Sequence, residues 1–282
     1  MSVGSQSVAS ATQYSSGAPC WIDVAAEDLS ASREFYRELF GWTWKSGTDG
    51  YLTAFLDDTP VAGLYGATRP EQKPAWTPYL EVGNVWTTAE VIPRLGGHIL
   101  LEPHEIADKG SLLVCSEPTG GAVGFWHTGE SWRFATDRPG AFTWAELNTW
   151  DPHEADRFFR ALFGYRQEQT GEVAGVDYST WSLHDEAILG RLRMGPDFAP
   201  DTPAHWMIYF DVSSEQDTDA TSDLVHGLGG RIRLAPHDSV YGRMALLEDP
   251  AGAVFTIIDR SVRLADDPDD EPHAEVDDPF DD

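Results

Sequence analysis

Residues 20–42 read CWIDVAAEDLSASREFYRELFGW, and residues 143–165 read TWAELNTWDPHEADRFFRALFGY. At one constant offset Trp21 falls on Trp144, Asp23 on Glu146 and Asp28 on Asp151. Each stretch opens with a short apolar run of strand character. An aspartate of the type that caps helices follows. In the second copy Pro152 suits the first helical position, and Glu154 stands where a capping box needs it. Phe158, Phe159 and Leu162 then recur at helical spacing, and Gly164 is the expected stop. The aromatic stripe is core, so no chemistry is assigned to it.

The copying extends further. AWTPYLEV (75–82) matches HWMIYFDV (205–212), LGGHILLEPHE (95–105) matches LGGRIRLAPHD (228–238), and EPTGGAVGF (117–125) matches DPAGAVFTI (249–257). Such repetition is a statement about fold. It predicts a disordered segment over 1–18, a first domain over 19–135, a linker at 136–141 and a second domain over 142–262. An acidic disordered tail follows over 263–282. Within each domain the order strand, helix and three strands occurs twice. The fold class is α+β, built from four βαβββ modules.

The formal net charge is −28 over 282 residues. A polyanion is a poor ligand for nucleic acid and for an anionic membrane surface, and favours cationic partners. Cys20 and Cys115 make no disulfide framework and are expected as buried thiols. The first 18 residues lack the basic start and apolar run of a signal peptide, and no run approaches the ~18 apolar residues of a spanning helix. The expected location is the cytoplasm. Residues 266–282 hold ten acidic residues and three prolines, a composition that cannot bury enough apolar surface to fold alone.

The motif D-L-x-x-S-x-x-F-Y-x-x-L-F-G after the first strand, with four βαβββ modules, resembles the vicinal oxygen chelate superfamily. That superfamily includes glyoxalase I, extradiol dioxygenases and the bleomycin- and fosfomycin-resistance proteins. The resemblance implies that modules pair into two cup-shaped domains with ligands inside the cups. It is similar in particular to tandem actinobacterial members found in antibiotic clusters of the anthracycline type. Enzymes of the superfamily hold a divalent metal through His, Gln or Glu. By that resemblance the metal positions here are Trp21, Thr77 and Gly124 in the first domain, and Trp144, Met207 and Thr256 in the second. None is a usual donor for such a metal, so no metal and no cofactor is expected.

Strand periodicity places Trp21 with Asp23 on one face, and Trp144 with Glu146 and Asn148. Tyr79, Trp126, Tyr209, Met207 and His205 complete the expected ligand-binding set. Aromatic rings and a methionine suit a flat aromatic ligand. A carboxylate among them needs a partner or a proton. A cationic amine on the ligand, or Arg191 or Arg193 of the chain, would serve as partner. The opposing expectation is that the tryptophans plug a closed cup. The leading function is metal-independent binding of a hydrophobic polycyclic aromatic molecule, an antibiotic or polyketide. That binding would serve sequestration, self-resistance or assistance to a partner tailoring enzyme. The alternatives are a metal-free tailoring enzyme acting on an aromatic polyketide, by hydroxylation or proton transfer, and a metal-dependent lyase or dioxygenase. Catalytic residues are not identifiable from sequence.

Overall fold

The computed structural model describes residues 14–47, 50–67, 74–170, 176–215 and 217–262. Strand β1 (Pro19–Ala26) is buried along nearly its whole length, because it runs through the middle of a sheet. It is followed by α1 (Leu29–Phe40), β2 (Thr43–Ser46), β3 (Leu52–Leu56) and β4 (Thr59–Gly66). The second module comprises β5 (Trp76–Glu81), α2 (Val85–Val91) with a 3₁₀ turn at Ile92–Leu95, β6 (His98–Ile106), β7 (Gly110–Ser116) and β8 (Ala122–Thr128).

The pattern then repeats. It runs through β9 (Phe142–Thr149), α3 (Pro152–Phe163), β10 (Arg166–Gln169), β11 (Tyr178–Leu183) and β12 (Glu186–Arg193). The last module holds β13 (His205–Asp211), α4 (Thr218–Gly227), β14 (Arg231–Ser239), β15 (Gly242–Glu248) and β16 (Val254–Asp259). The strands form two eight-stranded mixed sheets of identical order, β2-β3-β4-β1-β5-β8-β7-β6 and β10-β11-β12-β9-β13-β16-β15-β14. This is the α+β arrangement of four βαβββ modules expected from the repeat. In each sheet the two modules meet at their first strands, β1 against β5 and β9 against β13, both antiparallel.

The local signals act as their chemistry requires. The Asp28 carboxylate accepts from the Ser30 and Ala31 amides. Gly41 and Gly164 close α1 and α3 with positive φ of 72° and 69°, a region where a side chain is strained. One detail differs. Asp151 caps the Glu154 amide, but the Asp151 amide donates to Thr149 Oγ1 while Glu154 pairs with Arg157. The reciprocal half of the capping box is therefore absent. The first-domain cap is the fuller of the two, with two amides bound rather than one.

Of the segment expected to be disordered at the start, residues 14–18 are anchored. The Gly17 amide donates to the Glu81 carbonyl, and the Tyr165 hydroxyl donates to the Gly17 carbonyl. The expected acidic tail lies outside the described residues. The linker turns through Gly140 at φ 75°. Its carbonyl accepts from Trp42 Nε1 at 2.8 Å. Both thiols are free and buried.

The domains exchange their helices' apolar faces. Phe35 and Tyr36 of α1 pack on Phe255 of β16, and Phe163 of α3 packs on Phe125 of β8. These helix faces lie between the sheets, so the opposite face of each sheet is left to form a cup. The exchange is unequal in one bond. Asp249, buried in the turn before β16, accepts from the Ala251 and Ala253 amides and from the Tyr36 hydroxyl at 2.9 Å. The equivalent Glu117 binds only its own turn, through Thr119 and Gly121, because Phe159 occupies the position equivalent to Tyr36. Replacing Tyr36 by Phe removes one hydrogen bond to a buried carboxylate. It should cost about 1–2 kcal/mol in urea unfolding, whereas Tyr165→Phe tests only the anchor of residue 17.

Candidate functional site

The cup of the second domain is built on strands β9 and β13. Trp144, Glu146 and Asn148 alternate along one face of β9, and pair across to Tyr209, Met207 and His205. On the outer side, Glu146 pairs with Gly190 of β12. The lack of a side chain at Gly190 makes room for Tyr178. A methyl group there would lie 2.3 Å from the Tyr178 hydroxyl oxygen. That hydroxyl accepts from Trp144 Nε1 at 3.0 Å and bonds to the Glu146 carboxyl, which the Tyr209 hydroxyl also reaches.

The first cup repeats the same four groups. Trp21 Nε1 donates to the Tyr51 hydroxyl at 2.8 Å. Tyr51 and Tyr79 donate to Asp23 Oδ2 at 3.2 and 2.9 Å. Gly63 leaves the space, since a methyl there would lie 1.8 Å from the Tyr51 oxygen. So each central strand carries an indole and an acid, joined in one bonded set with two tyrosines from neighbouring segments. Tyr51 and Tyr178 were not among the sequence candidates. Tyr51 directly precedes β3 and Tyr178 opens β11, and each recurs together with the glycine it meets, but only the sheet order shows that the two meet.

The acids are therefore held by phenols, not by a cation; in the first cup both phenols bond Asp23 Oδ2, and Oδ1 has no partner among the described residues. Arg191, considered above as their partner, is buried on the other side of the sheet with Asp156 and Asp177. Burial pushes the Asp23 carboxyl from 3.8 to about 7 and the Glu146 carboxyl from 4.5 to about 7, partly offset by the tyrosine hydrogen bonds. Each acid thus sits near the point of proton exchange at neutral pH.

These residues do not fit the metal of the related enzymes. The indole nitrogens at positions 21 and 144 are spent on tyrosine hydroxyls. The place of a last-strand donor at Gly124 is taken by the Tyr79 ring, 2.0 Å from where a side chain would begin. Thr256 bonds Tyr209 in the second domain. Among the described residues no cluster of three His, Cys, Asp or Glu side chains could hold an ion.

The two cups differ in what fills them. In the first, the chain after β8 folds back. Trp132 lies 4.9 Å from Trp21 and 4.6 Å from Trp126, ring centre to ring centre, and Phe134 lies 5.5 Å from Trp21. Trp132 Nε1 fixes the segment by donating to the Cys20 carbonyl at 3.0 Å. Trp21 is 1% exposed, with Asp23, Tyr79 and Trp126 also buried. In the second cup Trp144, Tyr178, Tyr209 and His205 are only half-buried, and Met207 is buried beside them. Among the described residues no ring packs on Trp144. A cross-strand row of Leu234, Leu246, Thr256 and Tyr209 extends from it to the edge of the sheet, where Leu234 is 53% exposed. Tyr241, also largely exposed, overhangs Tyr178.

This is the two-domain architecture of the vicinal oxygen chelate superfamily. The Mn(II)-bound glyoxalase from Novosphingobium aromaticivorans aligns over 88% of the chain and 86% of its own, with a TM-score of 0.62 at 14% identity. The 2,2',3-trihydroxybiphenyl 1,2-dioxygenase from Sphingomonas wittichii aligns over 86% and 90%, with a TM-score of 0.64 at 12% identity. At these identities the likeness shows the fold. No known family profile matches the sequence.

Whole-sequence relatives narrow the class. The anthracycline biosynthesis protein DauV of Streptomyces sp. (strain C5) is 32% identical over 267 residues, covering 88% of the chain and 95% of that protein. DnrV of Streptomyces peucetius, also an anthracycline biosynthesis protein, is 31% identical over the same length. CFP32 of Mycobacterium tuberculosis, whose name carries the word glyoxylase, is 32% identical over 262 residues. The chain belongs to this family of two-domain vicinal oxygen chelate proteins. No described helix is long and apolar enough to cross a membrane.

Two acids with raised folded-state values hold protons that the unfolded chain releases above about pH 4. Their effect is to lower stability progressively as pH rises from about 4 to about 7. The size is on the order of 3–4 kcal/mol for each group. Asp23→Asn and Glu146→Gln should each flatten the fall in urea-unfolding free energy across that window. An unchanged slope in both variants would contradict the raised values.

Proposed function

We propose that the second domain binds a planar, polycyclic aromatic small molecule without a metal, and that the first domain is its scaffold. The observation that carries this reading is the contrast between the two cups. Both keep the same bonded set, but among the described residues only the second leaves its tryptophan free of packed rings and opens onto exposed apolar side chains. Stacking on Trp144 and contact with Met207 and Tyr241 suit a flat ring system. The names of DauV and DnrV support an aromatic antibiotic or its precursor as the ligand class. The biological role would be sequestration, self-resistance or delivery to a partner tailoring enzyme. The strong negative charge fits neither nucleic acid nor an anionic membrane as partner.

Glu146 gives a second reading some footing. A carboxyl near neutrality in a half-open aromatic cup is a suitable general acid or base. It could move a proton on a bound polyketide with no metal, and Glu146→Gln would then abolish turnover while leaving binding in place. A cationic amine beside Glu146 would draw the acid into its ionised form. Preference for a cationic ligand over its neutral analogue should therefore grow as pH rises through about 7.

The deciding experiment is a tryptophan-fluorescence titration with anthraquinones. Trp144→Ala should weaken binding by roughly 1–3 kcal/mol, the scale of one stacked ring with its buried area. Trp21→Ala should leave affinity unchanged once folding is verified. Equal losses in both variants, or no binding below millimolar, would overturn the assignment to the second cup.

A further inference from the structure

The floor of the second cup holds a pair of residues that the first lacks. Asn148 and His205 face each other across β9 and β13. Their equivalents in the first domain are Ala25 and Ala75. The repeat has thus placed two polar side chains in one cup where its copy has two methyl groups. Asn148 is 2% exposed.

The hydrogen bonds fix which way that amide points. His205 Nδ1 lies 2.9 Å from the Pro203 carbonyl, which can only accept, so Nδ1 carries the proton. In a neutral ring Nε2 is then an acceptor. Burial favours that neutral form. Asn148 Nδ2 lies 3.3 Å from Nε2 and donates to it. The amide oxygen must therefore face away from His205. It has no partner among the described residues. A buried acceptor left unbonded costs about 1–3 kcal/mol, and its place on the Trp144–Glu146 face directs it to the cup.

We infer that Asn148 Oδ1 is the specificity-determining acceptor of the second cup, and that it selects ligands presenting a hydroxyl donor at the edge of the aromatic system. The inference rests on the proposed binding of an aromatic molecule and adds the chemistry that sorts one such molecule from another. His205 is a positioning residue that holds the amide in the accepting orientation. Met207, two residues beyond His205 on the same face of the strand, is the flexible wall that yields as the ligand edge enters. A site built to bond a hydroxyl rejects the analogue lacking it, because the acceptor is then sealed off with nothing to bond.

The test uses 2-hydroxyanthraquinone, its methyl ether 2-methoxyanthraquinone, and unsubstituted anthraquinone as a control for size. All are titrated into the full-length chain. The wild type should bind the hydroxyl compound about ten-fold tighter than either of the others. Asn148→Ala should reduce that preference to within about two-fold. Asn148→Asp, which keeps an acceptor, should retain the preference. If the alanine variant does not fold, Asn148→Leu fills the same volume without the acceptor and should give the same loss. Trp144→Ala should weaken all three compounds alike and keep their ratio, which separates stacking from recognition. Binding with no preference in the wild type, or a preference surviving in Asn148→Ala or Asn148→Leu, would overturn the role of Asn148 alone. No binding of any compound would overturn the aromatic-ligand reading and this inference together.

Discussion

A carboxyl group buried on the central strand of each sheet sets the terms for everything around it. Sealing an acid in an apolar cup requires a cation, a proton or several donors. Here the solution is two tyrosine hydroxyls and a proton affinity near neutrality, with an indole fixing one of the tyrosines. That solution imposes glycine at positions 63 and 190, since any side chain would meet the tyrosine. It also commits the indole nitrogen at the position where related enzymes place a metal ligand. The lack of metal donors at positions 21 and 144 and the presence of the tyrosine–acid set are thus two sides of one arrangement.

The same set occurs in both domains, so it is part of the scaffold that the duplication copied. Function has to be sought where the copies diverge. They diverge at Trp132 and Phe134, which close the first cup, and at Asn148 and His205, which furnish the floor of the second. The helices packed between the sheets support this division. They tie each domain's core to the other's, so a sealed first domain contributes stability to an open second one. Fold alone does not assign activity, and the likeness to the glyoxalase and dioxygenase neighbours shows the frame alone.

Much of the fold was legible because the repeat writes it twice and the first helix of each domain is bracketed by an aspartate and a glycine. The strand periodicity also placed Trp21, Asp23, Trp144 and Glu146 on the cup faces. Three things were not legible. Tyr51 and Tyr178 reach their acids across strands β4 and β12, so their role depends on sheet order rather than on local sequence. Trp132 and Phe134 lie in a segment without regular structure, whose path no periodicity encodes. The Asn148–His205 bond joins residues 57 positions apart, and only the β9–β13 register brings them together. A cation was sought for the acids because nothing in the sequence announced the two phenols.

The central claim is that tyrosine-held, protonatable acids stand in the place of a metal centre. Carboxyl ¹³C chemical shifts followed through a pH titration, with Asp23→Asn and Glu146→Gln to assign the signals, measure it directly. The account predicts one signal for each acid with a midpoint near 7, unmoved by equimolar Mn(II) or Zn(II). Midpoints near 4, or signals displaced by equimolar metal, would contradict it.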